Sequence, residues 1–176
     1  LVQNVLLGDG ITVSNITFNG APGTTVNPKA GFFNTGVTPT NLGINRGVIL
    51  ATGSAQVAVG PNDEQGDDSP VGLPGGDPDL QQLTTNNING VAILEFDFVP
   101  QGTPLTFKFV FASEEYPEYV NNPNFNDVFG FFLSGPGIAG PYSNGAVNIA
   151  LVPTTTTATN VVSISNVNGG YAALGC

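Results

Sequence analysis

Histidine, tryptophan and methionine are absent from this 176-residue sequence, and its single cysteine is the last residue, Cys176. The chain therefore cannot supply a zinc site built from His and Cys, a Ser-His-Asp catalytic group or a Cys-His catalytic group. Two interpretations of Cys176 stay open, a free thiol and a disulfide with a cysteine outside this sequence.

Basic side chains are also scarce, because 3 Lys and Arg residues face 13 Asp and Glu residues, for a net charge of −10. With no basic patch to neutralise phosphates, we expect no binding to nucleic acid or to an anionic membrane surface. No run of about 18 apolar residues occurs, so we expect no direct membrane insertion. The start at Leu1, without a leader, is typical of a mature or excised chain, and the acidic, Lys-poor composition favours a secreted protein.

Turn-forming residues are abundant, with 24 glycines and 14 prolines. This composition favours many short strands joined by tight turns. Alternating apolar residues predict strands at 11–18, 46–52, 91–99, 104–112, 127–134, 147–152 and 160–165, and weaker ones at 2–7, 30–33 and 56–59. We therefore predict a single all-β domain over residues 1–176, an antiparallel β-sandwich that is jelly-roll-like, with about ten short strands and long loops.

One predicted strand and one predicted loop bear on function. In 104–112 the alternation places four apolar residues on one face, which we expect to be core: Leu105, Phe107, Phe109 and Phe111. Residues 60–80 hold six of the 13 acids among prolines and glycines, which predicts a long loop.

Acids and amides are concentrated between aromatic segments in 111–134, FASEEYPEYVNNPNFNDVFGFFLS. On a regular strand Glu114 and Glu115 point to opposite faces, so they share a site only if the strand ends near Tyr116-Pro117. Asp127 is in phase with the apolar residues that follow it, and we expect it to head a core-facing row. A carboxylate there needs hydrogen bonds or a cation, because burying it bare costs several kcal/mol.

Calcium binds about six to eight oxygen atoms and tolerates irregular loops, which suits these residue types. We predict a calcium site drawn from six residues: Asp77, Asp79, Glu114, Glu115, Asn126 and Asp127. The alternative is that Asp127 and one glutamate cap turns by accepting backbone N–H bonds, while the acids of 60–80 are solvated. The sequence leaves these two interpretations open, since no EF-hand spacing is present.

Paired carboxylates also occur in glycoside hydrolases. Here tryptophan, the usual platform for stacking on a sugar ring, is missing, and no histidine is available to tune an acid. We therefore expect a protein that is not an enzyme.

Eight segments, in their order along the chain, resemble the choice-of-anchor L domain of secreted and surface proteins of bacteria, mainly Bacteroidota. The segments are NVLLGDGITVSNITFNG, LGINRGVILATG, GDPDL, AILEFDFVP, FKFVFASEEYPEYV, FNDVFGFFLSGPG, NIALVP and VSISNVN. The resemblance covers about residues 4–168, and FASEEY together with FNDVFGFF carries most of its specificity. It implies export and a β-rich module within a larger or assembling surface protein, but it assigns no chemistry.

Three functions follow as hypotheses. The first is a non-catalytic surface module for adhesion or assembly, stabilised by calcium near 111–134 and partnered by a surface polymer or other protein subunits. The second is self-association into a surface filament, completed by strand exchange through the N-terminal LVQNVLL. The third is a calcium-dependent carbohydrate-binding module whose glycan is held by four amides: Asn121, Asn122, Asn124 and Asn126.

Overall fold

A computed structural model of the chain describes residues 2–23, 27–35, 42–61, 75–115, 119–120, 122–152 and 160–168. Of the described residues, 29% lie in strands and 16% in helical turns, and the strand pairs are antiparallel. The prediction of an all-β, antiparallel fold is confirmed. The stacking of sheets into a jelly-roll-like sandwich stays a prediction.

The strands, in chain order, are β1 (Ile11–Phe18), β2 (Ala21–Pro22), β3 (Ala30–Asn34), β4 (Arg46–Leu50), β5 (Leu94–Pro100), β6 (Val128–Phe129), β7 (Phe132–Leu133), β8 (Val147–Asn148), β9 (Leu151–Val152) and β10 (Asn160–Ser163). The helical elements are a π-helical turn at Val2–Leu6, 3₁₀ turns at Ala55–Val59, Leu80–Leu83 and Ser143–Gly145, and the short α-helix α1 (Ile164–Asn168). No helix among the described residues has the length and apolar character needed to cross a bilayer.

The chain divides into two compact units. The first unit comprises Leu1–Gly75 and Gly90–Val110, and the second comprises Gly76–Asn89 and Phe111–Cys176. The prediction that the whole chain is a single domain stays a prediction.

The first unit is built on the long pairing of β1 with β5, flanked by β2 in the order β2-β1-β5. The β5 sequence alternates as predicted, with half-buried apolar residues between exposed Glu95 and Asp97. On the exposed face, Thr17 donates a hydrogen bond to Glu95 at 3.2 Å and Asn15 donates one to Asp97 at 2.6 Å. Asn15 has a φ of 51°, and the register shifts beside it, so β1 bulges at this residue.

A second pair, β3 with β4, completes the strands of the first unit, with Ala30 opposite Leu50 and Asn34 opposite Arg46. The weaker strand predicted at 30–33 is therefore confirmed, one residue longer. The strand predicted at 56–59 is wrong. Ser54 accepts a hydrogen bond from the Gln56 N–H at 3.3 Å and so caps a 3₁₀ turn there.

The strand predicted at 2–7 is also wrong, because this segment forms the π-helical turn. Its Val2 is only 2% exposed and is part of the core of the first unit. The strand-exchange hypothesis required this segment to be an extended strand. In the structure it is instead a helical turn of its own unit.

Residues 104–112 form no strand among the described residues, which corrects the predicted strand. Phe109 is 46% exposed, so it is not the core residue we predicted, whereas Leu105, Phe107 and Phe111 are half-buried. Alternation marks a segment that can be extended, but a strand also needs a partner with free N–H and C=O groups.

In the second unit, β10 lies between β6 and β9, and β7 pairs with β8. The predicted strands 127–134 and 147–152 are each split in two. A side chain at Gly130 would begin 2.6 Å from the Phe132 ring, so glycine permits a tight bend between β6 and β7. Asn148 interrupts the other segment, because its Oδ1 accepts hydrogen bonds from Phe131 N–H at 3.0 Å and Ala150 N–H at 3.1 Å.

The predicted strand 160–165 ends at Ser163, where α1 begins. The Ser163 hydroxyl accepts a hydrogen bond from the Asn166 N–H at 3.3 Å, in the manner of a helix N-cap. The neighbouring Ile164 is fully buried at 0% exposure, together with Val162 at 3%. The strand-to-helix transition thus occurs inside the core of the second unit.

We expect Ile164→Ala to lower the free energy of unfolding by about 2–5 kcal/mol, because it removes three methyl or methylene carbons from a closed core. Urea denaturation followed by circular dichroism measures this loss. Val167→Ala is the matched control, since Val167 lies in the same helix but is 46% exposed. Its effect should stay within about 0.5 kcal/mol, and equal losses for the two variants would contradict the burial of Ile164.

Candidate functional site

Ser113, Glu115 and Asp127 meet in the second unit. The Ser113 hydroxyl donates a hydrogen bond to Asp127 Oδ2 at 3.1 Å and accepts one from the Glu115 backbone N–H at 3.2 Å. One hydroxyl therefore connects the aspartate to the glutamate segment. We call these three residues the acidic pair site.

A turn brings the glutamate to this place. The Ser113 hydroxyl closes a local turn onto the N–H two residues ahead, and Tyr119 N–H donates to the Glu115 carbonyl at 3.0 Å. Glu114 and Glu115 can share a site only if the extended segment breaks near them. The turn at 113–115 provides this break. Tyr116-Pro117, where we predicted it, lies outside the described residues.

Asp127 is held from its backbone as well. Its carbonyl accepts a hydrogen bond from Ile164 N–H at 3.2 Å, and the preceding Asn126 uses its Oδ1 to accept one from Ser165 N–H at 3.2 Å. The start of α1 thus fixes residues 126–127. Asn126 Oδ1 therefore already accepts one hydrogen bond, and one of its two lone pairs is left for another partner.

Glu115 is the most strongly perturbed acid of the site. It is half-buried, and its Oε2 is buried without a hydrogen-bond partner among the described residues. Burial, and then the nearby charge of Asp127, raise the pKa of Glu115 to about 7. Near neutral pH this carboxyl therefore exists in both protonation states.

Burial also raises the pKa of Asp127, and the hydrogen bond from Ser113 opposes that rise. Although the carboxyl is partly desolvated, much of the Asp127 residue is exposed to solvent, so Asp127 does not head the core-facing row that we predicted. When both acids are ionised they repel each other, and one buried oxygen lacks a donor. Either a proton or a bound cation relieves this state.

The other predicted ligands have different surroundings. Asp77 Oδ1 accepts hydrogen bonds from Asp79 N–H at 3.0 Å and Leu80 N–H at 2.8 Å. The Asp79 carboxylate accepts from the Ser143 N–H and hydroxyl, both at 3.0 Å, and so ties the 3₁₀ turn at Leu80–Leu83 to the turn at Ser143–Gly145. Asp77 thus closes the local turn before Leu80–Leu83, whereas the Asp79 side chain makes no cap bond to its own turn. Glu114 is half-buried and takes part in a further interaction.

Among the described residues, no group of three or more His, Cys, Asp or Glu side chains is placed to hold a metal ion. Most of the acidic loop, 62–74, lies outside the described residues. The six-residue calcium set stays a prediction.

Ser113 was not among the site residues predicted from the sequence. The signal that could have found it is local, because a serine two residues before an acid commonly closes a turn onto that backbone N–H. Its second bond, to Asp127, joins residues fourteen positions apart and depends on the tertiary fold.

Comparison with protein families identifies a family that matches this chain. A model of the choice-of-anchor L domain matches residues 1–176, the whole chain, as the ordered segments indicated. No curated protein and no solved structure matches significantly.

The raised pKa of Glu115 predicts a pH-dependent stability when divalent cations are removed by a chelator. The folded chain keeps a proton on Glu115 up to about pH 7, whereas the unfolded chain releases it near its ordinary value of 4.5. The contribution of Glu115 to the free energy of unfolding should therefore be most favourable below about pH 4.5, fall as the pH rises to about 7 and then level off. After allowance for solvent screening we expect a change on the order of 1 kcal/mol.

Urea denaturation at several pH values measures this slope, and Glu115→Gln should reduce it because glutamine does not titrate. Asp127→Asn should reduce it less, by removing only the repulsive charge. Parallel pH profiles for the wild type and Glu115→Gln would show that Glu115 is not perturbed.

Proposed function

The chain belongs to the choice-of-anchor L domain family, and from this membership we propose that it is a non-catalytic extracellular module for adhesion or surface assembly, stabilised by calcium at the acidic pair site. Family membership itself indicates a secreted or surface-associated module. The finer parts of the proposal, which are calcium and adhesion or assembly, rest on the chemistry of the site and on composition.

One observation supports the cation above all others: the buried Glu115 Oε2, beside a second carboxylate, has no hydrogen-bond donor within the described part of the chain. In a chain with only 3 basic residues, cationic side chains are too few to neutralise the acids. A hard cation such as calcium is coordinated by oxygen atoms of carboxylates, backbone carbonyls and water, and it tolerates irregular geometry. This turn offers ligands of these kinds. Calcium fits better than magnesium, which requires stricter octahedral geometry.

The proposed site has two carboxylates, so its affinity should be modest. Calcium affinity rises with the number of charged ligands and with the rigidity of the site, and extracellular modules bind with Kd values of about 10⁻⁴–10⁻³ M. Water and backbone oxygens would complete the coordination on the side where Asp127 is exposed. Occupancy at these affinities requires the millimolar calcium of an extracellular medium.

A non-catalytic role is supported by composition, and one open cavity of the first unit has no pair of carboxylates. That cavity, of about 370 Å³, is lined by Asp9, Gln101 and Leu105 among others, with Asp9 as its single carboxylate. Glycoside hydrolysis requires two carboxyl groups across the scissile bond. Neither histidine nor tryptophan is available in the chain to assist.

The carbohydrate alternative receives less support. Asn122 Oδ1 accepts a hydrogen bond from Asn124 N–H at 3.0 Å, and Asn126 Oδ1 is bonded to Ser165 N–H, so two of the four amides serve local structure. Asn121 lies outside the described residues. A glycan array probed with and without calcium distinguishes this function, since calcium-dependent binding to a defined glycan would favour it over assembly.

We expect millimolar calcium at pH 8 to raise the melting temperature, because ion binding to the folded state stabilises it. At ten times Kd the gain is about 1.4 kcal/mol. Differential scanning calorimetry with calcium, with magnesium and with chelator measures the shift, and magnesium should produce a smaller one.

Glu115→Gln and Asp127→Asn should each abolish most of the calcium shift. Asp9→Asn is the matched control, since it removes one exposed acid of the first unit and should leave the shift intact. If excess chelator leaves the wild-type melting curve unchanged, the calcium part of the proposal is wrong.

A further inference from the structure

Lys29 is the only charged residue among the buried polar residues of the described chain, with 2% exposure. Its Nζ donates to the Val91 carbonyl at 3.5 Å. Burial lowers the pKa of this amine, because the low-dielectric surroundings disfavour the ammonium form. The neutral form of an amine is a nucleophile, and a lowered pKa increases the fraction of Lys29 in that form.

Asn19 shares the acceptor of Lys29. Its Nδ2 also donates to the Val91 carbonyl at 3.5 Å, so the amine and the carboxamide lie around one oxygen atom. The Asn19 Oδ1 accepts a hydrogen bond from Ile93 N–H at 2.8 Å. That N–H polarises the carboxamide and would stabilise negative charge developing on Oδ1, as an oxyanion-hole donor does.

Both side chains are placed by ordered backbone. Asn19 has a φ of 47° in a two-residue turn with Gly20, and its own N–H donates to the Ile93 carbonyl at 2.9 Å. Lys29 N–H donates to Asn27 Oδ1 at 3.0 Å, and its carbonyl accepts from Ala51 N–H at 2.8 Å. These backbone bonds hold both residues where their side chains share the Val91 carbonyl.

From this arrangement we propose that Lys29 and Asn19 form an intramolecular amide cross-link. Lys29 Nζ attacks Asn19 Cγ, so a new bond forms between these atoms and the bond between Cγ and Nδ2 breaks. One proton moves from Nζ to Nδ2, and ammonia leaves. No electron transfer and no co-reactant is required.

The cross-link would join the end of β1 to the residue that precedes β3. It would thus tie the β2-β1-β5 sheet to the β3–β4 pair within the first unit by a covalent bond. Such a bond keeps these strands together even when hydrogen bonds open, which suits a protein that works outside the cell, as the proposed function requires. The cross-link itself does not depend on calcium or on the acidic pair site.

Mass spectrometry of the purified protein tests the proposal directly. A linked chain is lighter than its sequence mass by one ammonia, and trypsin cannot cleave after the acylated Lys29. The peptide that contains Asn19 should therefore continue to Arg46, the next basic residue. The full sequence mass would overturn the proposal.

Asn19 precedes Gly20, and a succinimide at this pair also releases ammonia. In that case trypsin still cleaves after Lys29, so a light chain with normal cleavage would equally overturn the proposal. Lys29→Arg provides a control that keeps a tryptic site and a positive charge, and it should show the full mass. Asn19→Asp should lose water in place of ammonia and retain protection at Lys29, which tests the linkage even if the arginine variant does not fold.

Discussion

The shortage of basic side chains constrains every carboxylate in this protein, because 3 Lys and Arg residues cannot pair with 13 acids. The structure satisfies acids with neutral donors instead. Asp77 and Asp79 accept backbone N–H groups, while Glu95 and Asp97 accept a hydroxyl and an amide from β1 across the sheet. Such bonds need no desolvated counter-charge, and those of Asp79, Glu95 and Asp97 link segments far apart in the sequence.

The acidic pair site differs because its donors are too few. Ser113 supplies one hydroxyl to Asp127, but Glu115 Oε2 has no described donor and its pKa rises toward neutrality. Perturbed carboxyls of this kind occur more often where a ligand or a proton is bound than in passive structure. The shortage of basic side chains therefore leaves one carboxylate oxygen of this site without a described partner.

Polar side chains also decide where strands end. Asn148 uses its amide oxygen to bind two backbone N–H groups, and Ser163 caps the helix that terminates β10. Each of these interactions takes the place of backbone hydrogen bonds that a longer, continuous strand would have made. The short strands of the second unit thus reflect specific side-chain bonds more than a weak tendency to form sheet.

The sequence by itself determined the all-β class, the family, the bounds of β1 and the two faces of β5, because period-2 alternation and turn residues are local properties. It also indicated that the acids of 111–134 could cooperate only across a break in the strand. Only the tertiary structure decided that 104–112 forms no strand among the described residues and that 2–6 forms a helical turn. The same holds for the contact of Ser113 with Asp127 and for Lys29 and Asn19 meeting at Val91. Pairing and burial depend on which distant segment arrives alongside, and no local pattern specifies that partner.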